Sequence, residues 1–103
     1  MIERIVLLKL KPEFLTEAKA IGLHTEAVLR TLDQVRDLAL APAADARTAG
    51  AWDIMIRLKF DDLDAVDAYL PDPMHRALVD GFLKPRVDKI RAFNFGLDDG
   101  EGW

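Results

Sequence analysis

The imidazole of His75 and the phenol of Tyr69 are the side chains of this sequence best suited to acid–base chemistry. Histidine exchanges protons near neutral pH, so His75 is a candidate general base that takes a proton from a carbon next to a carbonyl, or from a phenol or enol. Tyr69 is a candidate hydrogen-bond donor to the enolate oxygen that such a step creates. The structural alternatives are a histidine that bonds to a backbone carbonyl and a tyrosine whose hydroxyl lies at the surface.

Two prolines determine how these side chains are positioned. Proline disfavours the α conformation in the residue before it, so the sequence Leu-Pro-Asp-Pro at positions 70–73 predicts a helix that ends near residue 70 and another that begins at residue 73. Asp72 is the predicted N-cap of the second helix. In that helix, His75, Leu78 and Phe82 recur at helical spacing, which predicts that the imidazole faces inward. The helix dipole disfavours a histidine cation at this position, whereas the carboxylate of Asp72 favours it.

Four further residues are candidates for substrate binding. Arg4 could hold a substrate carboxylate in a bidentate pair, or it could pair with an acidic residue on a neighbouring strand. Leu78 and Phe82 lie on the inward stripe of the second helix, and Trp52 lies on the apolar side of a predicted strand. Large apolar residues at such positions also serve as ordinary core residues.

Composition excludes several kinds of site and partner. The sequence has no cysteine and two widely separated histidines, so it predicts no disulfide and no metal site. Its glycines are scattered and form no phosphate-binding loop, and we expect no cofactor. The net charge of −4 argues against a nucleic acid partner. The apolar runs are too short for a membrane span or a signal peptide, so we expect a cytoplasmic protein.

The order of predicted elements is β-α-β-β-α-β. Apolar patterns predict strands over residues 2–11, 35–41, 51–60 and 88–95. They predict helices over residues 12–32, about 63–70 and about 73–83. This order is that of the ferredoxin-like α+β fold, in which a four-stranded antiparallel sheet carries its helices on one face. We expect a single domain over residues 1–96 and a flexible acidic tail over residues 97–103.

The sheet face without helices is also predicted to be apolar. The first strand carries apolar residues on both faces, and Met55, Phe93 and Phe95 add to the second apolar layer. An exposed apolar face of that size is typical of an interaction surface. We therefore expect a second copy of the chain to pack against it, sheet to sheet, as a two-fold homodimer.

Four motifs occur in a characteristic order. They are the start Met-Ile-x-x-Ile-Val-Leu-Leu-Lys-Leu-Lys-Pro, the strand from Trp52-Asp53-Ile54 to Phe60 with Asp-Asp-Leu after it, the segment Tyr69-x-x-x-Pro73-x-His75, and Phe93-Asn94-Phe95. Together they resemble the stress-responsive A/B barrel (Dabb) family, which implies a sheet-to-sheet dimeric α+β barrel. A plant cyclase of that family uses the histidine and tyrosine that match His75 and Tyr69. The chain departs from the family at Arg4, Asp72 and Asn94, where the family often has histidine, histidine and aspartate.

Two functions are compatible with these residues. In the first, a small homodimer binds an apolar or aromatic carbonyl compound between its sheet and helices, and performs cofactor-independent proton transfer of the cyclase, isomerase or lyase type. In the second, a non-catalytic, stress-associated dimer binds a ligand or has a structural role. A space around His75 that Met74, Leu78 and Phe82 fill would favour the second function. A cofactor-free monooxygenase on the same barrel has no specific residue here in its support.

Overall fold

The structure, a computed structural model, describes residues 1–48 and 50–97. The predicted acidic tail therefore lies outside the described residues, except for Leu97. The backbone N–H of Leu97 donates to the carbonyl of Met1, which extends the pairing of the first and last strands by one hydrogen bond.

One antiparallel sheet of four strands carries the helices of the described residues. Its strands are β1 (Ile2–Leu10), β2 (Asp37–Pro42), β3 (Ile54–Phe60) and β4 (Val87–Gly96), in the order β2-β3-β1-β4. The helical segments are a 3-10 helix (Pro12–Glu17), α1 (Ala18–Leu29), α2 (Leu63–Tyr69), α3 (Pro73–Arg76) and a π-helix (Ala77–Leu83). The predicted β-α-β-β-α-β order and ferredoxin-like fold are confirmed.

Two predicted helices have a different internal geometry from the one that the periodicity indicated. The predicted helix over residues 12–32 begins as a 3-10 helix, which is common at helix ends, and its α-helical part ends at Leu29. The predicted helix over residues 73–83 keeps α geometry only in its first turn. It then continues as a π-helix, in which Lys84 N–H donates to the Val79 carbonyl. Apolar spacing does not distinguish these helix types, because all of them return to the same face after three to five residues.

The third strand begins later than predicted, at Ile54 rather than at residue 51. The cause is Asp53, whose carboxylate accepts a hydrogen bond from the backbone N–H of Leu10 at 2.7 Å. The backbone N–H of Asp53 in turn donates to the carbonyl of Leu8. This exchange of hydrogen bonds replaces regular ladder pairing, so Trp52 lies outside the strand and is only half-buried.

The hydrophobic core lies between the sheet and the helices. The buried sheet residues all point to this side, and they are Leu8, Leu10, Leu38, Ile54, Ile56, Leu58, Phe60 and Val87. The helices contribute Ile21, Leu29, Val66, Tyr69, Leu78 and Leu83. Burying one such side chain contributes roughly 1.5–3 kcal/mol, so this layer supplies most of the stability of the fold.

The opposite face of the sheet carries no helix of the described chain. Ile5, Leu7 and Met55 lie near its centre, and all three are half-buried. Phe93 and Phe95 extend the apolar surface at the edge strand, where they are 46% and 52% exposed. We refer to these five residues as the open sheet face.

Candidate functional site

The turn between α2 and α3 places the imidazole of His75 back over the end of α2. The backbone N–H of Asp72 donates to the carbonyl of Tyr69, which closes the turn. The carboxylate of Asp72 accepts from the backbone N–H of Met74 at 2.9 Å, as predicted for an N-cap. Pro73 follows at the first helical position, where its missing N–H costs nothing. The turn is thus fixed on both sides by local hydrogen bonds.

Tyr69 and His75 contact each other inside the core. Their ring centroids lie 4.2 Å apart and their planes are tilted by 39°. The far side of Tyr69 packs edge-on against Phe60, with a centroid distance of 4.9 Å. Tyr69 is 2% exposed and His75 is 7% exposed, so both side chains face inward as their spacing predicts.

The hydrogen bond of His75 determines which nitrogen can act as a base. Nδ1 lies 2.9 Å from the carbonyl oxygen of Leu70. A carbonyl only accepts, so Nδ1–H donates and the lone pair of the neutral ring lies on Nε2. Burial lowers the pKa of His75, and the charges of Arg76 and Arg4 act in the same direction, whereas the bond to Leu70 and the carboxylate of Asp72 oppose it. His75 therefore makes the bond to a backbone carbonyl that the structural alternative predicts. The same bond leaves the neutral imidazole with a free lone pair on Nε2.

Tyr69 presents a phenol that stays protonated. Burial raises the pKa of Tyr69 to about 12, and the positive charge of Arg4 partly opposes this shift. Within the described chain, the Tyr69 hydroxyl has no hydrogen-bond partner. It can therefore donate a hydrogen bond to a bound oxygen.

Arg4 lies on β1, the strand next to β3, whose Phe60 contacts Tyr69. It lies on the helix-facing side of β1, directly between Leu58 of β3 and Asn94 of β4. Its Nη1–H donates to Oδ1 of Asn94 at 2.9 Å, and its Nε is buried with no partner in the described residues. No described carboxylate pairs with Arg4, so the predicted alternative of an acidic neighbour on an adjacent strand is not what the structure shows.

Asn94 is the functional candidate that sequence reasoning missed. The sequence showed it only as a departure from a family pattern. Its importance follows from the β1–β4 register, which places Asn94 opposite Arg4 although the two are 90 residues apart. The alternation of Ile90, Ala92 and Asn94 on one face was visible in the sequence, but the pairing partner was not.

Two of the other predicted binding residues, Leu78 and Phe82, lie in the π-helix but differ in burial and in the side chains that surround them. Leu78 is buried in the first turn of the π-helix, three residues after His75. Phe82 packs instead against His24, with ring centroids 4.0 Å apart, and beneath the guanidinium of Arg86 at 4.1 Å.

Trp52 lies at the other end of the sheet. It precedes β3 beside Leu10, six residues beyond Arg4 on β1, which corresponds to about 20 Å along a strand. The structure therefore brings Tyr69 and His75 into contact and places Arg4 on the same sheet face as Phe60, which Tyr69 contacts. Trp52 lies at the far end of that sheet, and the ring contacts of Phe82 are with His24 and Arg86. Of the three residues that could fill a space around His75, Met74 is 52% exposed, Phe82 is half-buried and Leu78 is buried.

An apolar cavity of about 460 Å³ opens away from this pair, between α1 and the edge strand β2. Its lining is almost entirely apolar and includes Ala18, Gly22, Leu23, Leu40, Pro42 and Ile54. Its volume is in the range of small-molecule sites. We refer to it as the α1–β2 cavity.

The described residues offer neither a metal-binding cluster nor a membrane-spanning helix. Residues 1–48 and 50–97 contain no cluster of three or more histidine, aspartate or glutamate side chains that could hold a metal ion. In the same part of the chain, no helix combines the length and apolarity needed to cross a lipid bilayer.

Solved structures share this fold at low sequence identity. A Dabb family protein with a ferredoxin-like fold from Mesorhizobium loti is 20% identical, with 92% of this chain and 94% of that chain covered and a TM-score of 0.79. A dimeric protein of unknown function from Bacteroides fragilis is 22% identical, with 91% and 93% covered and a TM-score of 0.74. The hydroxynitrile lyase of Passiflora edulis is 12% identical, with 95% and 94% covered and a TM-score of 0.79.

The amino-acid sequence identifies the family of the chain, whereas the similar structures show only its fold. No curated protein matches the chain. The sequence model of the stress responsive A/B barrel domain matches residues 2–97. That span contains all four strands and every helix described above. The chain therefore belongs to the Dabb family of stress responsive A/B barrel domains.

Proposed function

We propose that this chain binds an apolar or aromatic carbonyl compound at Tyr69 and His75, and that it catalyses cofactor-independent proton transfer of the cyclase, isomerase or lyase type. The observation that carries the proposal is the state of the two side chains. The imidazole is neutral, with Nδ1–H held by Leu70 and Nε2 unpaired within the described residues. The phenol beside it is protonated and unpaired.

The proposed reaction begins when Nε2 of His75 takes a proton from a carbon next to the substrate carbonyl. The electron pair of the broken C–H bond moves onto the carbonyl oxygen, and the hydroxyl of Tyr69 donates a hydrogen bond to that oxygen. The imidazolium then returns the proton to a different carbon, which gives an isomer, or the enolate carbon attacks a second carbonyl, which closes a ring. General base catalysis of this kind contributes about 10²–10⁴-fold to a rate.

Substrate binding is proposed for Arg4, on the same sheet face as the Phe60 that Tyr69 contacts, and for Leu78, three residues after His75 in the helix. Trp52 and Phe82, the other predicted binding residues, are given no role in this proposal, because Trp52 precedes β3 at the far end of the sheet and the ring of Phe82 packs against His24. The hydroxynitrile lyase of Passiflora edulis supports the idea that this fold can carry lyase chemistry.

The proposed active form is a homodimer that packs through the open sheet face. That face is apolar at its centre and exposes Phe93 and Phe95. Structures of similar fold are described as dimeric. We propose a cytoplasmic location because the sequence contains no cysteine, which fits a reducing compartment.

The proposal is tested with His75→Gln and Tyr69→Phe variants, assayed by proton–deuterium exchange and product formation on a panel of polyketide-like and lactone substrates. For a substrate that the unaltered protein converts, we expect His75→Gln to lower kcat by about 100-fold or more. His24→Gln is the matched control, because His24 is exposed and is expected to leave turnover unchanged. Unchanged turnover in His75→Gln with an intact fold would remove His75 from the mechanism.

A second candidate function, non-catalytic ligand binding, is favoured by the α1–β2 cavity. The cavity has a suitable volume and an apolar lining, and it does not include the reacting pair. Gly22 lines it, and a Cβ built on Gly22 meets no atom within 4 Å. Gly22→Leu places a large side chain at the cavity wall, and Gly22→Ala, whose Cβ is accommodated, is the matched control.

Anilinonaphthalene sulfonate fluoresces when it binds apolar surface, so the difference in dye binding between Gly22→Leu and Gly22→Ala reports on this cavity. If the cavity is the ligand site, Gly22→Leu should weaken binding of the dye about tenfold or more, whereas Gly22→Ala should not. Both variants should gain up to about 1 kcal/mol of helix stability, because glycine is a poor helix former. Equal binding of the dye by all three proteins would count against this second candidate.

A further inference from the structure

The positive charge of Arg4 has no compensating charge among the described residues. Its immediate neighbours across the sheet are the neutral side chains of Leu58 and Asn94. Glu3, the adjacent acidic residue, points to the opposite face and pairs with Arg57 at 3.4 Å. A charge that is partly removed from water without a counter-ion is unfavourable. A bound anion would relieve that cost.

The hydrogen bonds of Arg4 leave one particular edge of the guanidinium unused. Nη1 donates to Asn94, which fixes the plane of the group. Nε is buried without a partner, and within the described chain Nη2 has none either. Nε–H and Nη2–H point the same way from one edge of the guanidinium, and that edge matches the two oxygens of a carboxylate.

Arg4 lies on the same face of the sheet as Phe60, the residue that Tyr69 contacts. Tyr69 packs against Phe60, with ring centroids 4.9 Å apart, and Phe60 follows Leu58, the residue opposite Arg4, by two positions on β3. Such diagonal neighbours on one face of a sheet are within reach of long side chains. One guanidinium supplies a single positive charge, which suits a carboxylate better than a doubly charged phosphate.

We infer that Arg4 and Asn94 form a carboxylate-binding subsite next to Tyr69 and His75, and that the natural ligand is an apolar or aromatic acid that also carries a carbonyl group. Asn94 acts as a positioning residue that holds the guanidinium plane. The carbonyl part of this inference rests on the proposed function, whereas the carboxylate part concerns binding alone and does not depend on any reaction.

Calorimetric titration with hydrocinnamate and with its primary amide tests the subsite. The two probes have nearly the same size and apolar area and differ in charge. A charge-assisted hydrogen-bond pair should make the acid bind about 10- to 100-fold more tightly than the amide. Bound acid should also raise the pKa of His75, because it offsets the charge of Arg4; proton NMR of the imidazole measures this shift.

Arg4→Gln removes the charge but keeps a side chain that can bond to Asn94. It should reduce the affinity for the acid to that for the amide. Arg47→Gln is the matched control, because it makes the same change in net charge at a side chain that is 90% exposed, and it should keep the full preference for the acid. Arg4→Lys keeps a charge without the planar edge, so it should retain part of the preference and remains informative if Arg4→Gln does not fold.

The inference is overturned if the unaltered protein binds the acid no more tightly than the amide, which includes failure to bind either probe. It is also overturned if Arg4→Gln and Arg47→Gln prefer the acid equally. A preference for the acid that depends on Arg4, together with unchanged turnover in His75→Gln, would refute the proposed function and leave the subsite in place. Reduced turnover in His75→Gln, together with a preference for the acid that does not depend on Arg4, would refute the subsite alone.

Discussion

Tyr69 and His75 contact each other ring to ring at 4.2 Å, and burial shifts their pKa values in opposite directions. The pKa of the phenol rises and that of the imidazole falls, because a buried site penalises the charged form of each group. Both shifts favour the neutral forms, a base with a free lone pair beside a donor that keeps its proton. The pair therefore holds this state over a wider range of pH than the same groups would in water.

The stability of the protein should depend on pH through His75. In the unfolded chain His75 takes up a proton near pH 6.5, its ordinary pKa, whereas the folded protein takes it up only at lower pH. Between these two pKa values the unfolded state binds more protons, so the free energy of unfolding falls as the pH drops below about 6.5. His75→Gln should remove this contribution, and His24→Gln should not. Urea denaturation at several pH values measures it; equal pH dependence in both variants would contradict the prediction.

The single tyrosine of the sequence allows a direct test of the site's polarity. Tyr69 should ionise with a midpoint near pH 12 in the folded protein instead of near its ordinary value of 10. Because the unfolded state loses this proton first, stability should fall as the pH rises above about 10, and Tyr69→Phe should abolish that fall. Ultraviolet difference titration follows the ionisation, and circular dichroism confirms the fold at each pH. A midpoint near 10 with native circular dichroism would show that the phenol is not buried.

The N-cap at Asp72 should contribute to stability through its hydrogen bond rather than its charge. Asp72→Ala should lower the free energy of unfolding by about 1 kcal/mol, whereas Asp72→Asn should change it by only a few tenths, because asparagine is an equally good cap. Asp62, which caps α2 through the backbone N–H of Ala65 at 2.8 Å, provides the matched comparison. If the fold persists, Asp72→Asn should also lower the pKa of His75 further, because the carboxylate raises it. A loss of stability in Asp72→Asn as large as in Asp72→Ala would disprove the capping role.

The open sheet face should be the dimer interface. Phe93→Asp places a charge in that face, so it should convert a dimer to a monomer in sedimentation velocity experiments at micromolar concentration. Leu63→Asp is the control, because Leu63 is at least as exposed as Phe93, at 55% against 46%, but lies at the start of α2 in the helical layer. It should leave the dimer intact. An unaltered protein that sediments as a monomer, or a Phe93→Asp variant that remains dimeric, would refute this interface.

The sequence by itself determined the parts of the molecule that depend on neighbours along the chain. Alternating apolar residues such as Ile54, Ile56 and Leu58 specify both a strand and its buried face, because successive side chains point to opposite sides. Pro71 and Pro73 specify where one helix stops and the next begins, because a proline restricts the backbone of the residue before it. The cap at Asp72 and the inward position of His75 follow from the same local rules.

Only the tertiary structure decided which distant residues meet. The pairing of Arg4 with Asn94 depends on strand register, which no local signal in either strand specifies. The position of Trp52, far from the reacting pair, depends on the hydrogen bond between Asp53 and Leu10. The α1–β2 cavity likewise arises from the way a helix packs over an edge strand. Local sequence fixes the direction in which each side chain points, but packing across the sheet determines what lies opposite it, so the uncompensated charge of Arg4 became visible only in three dimensions.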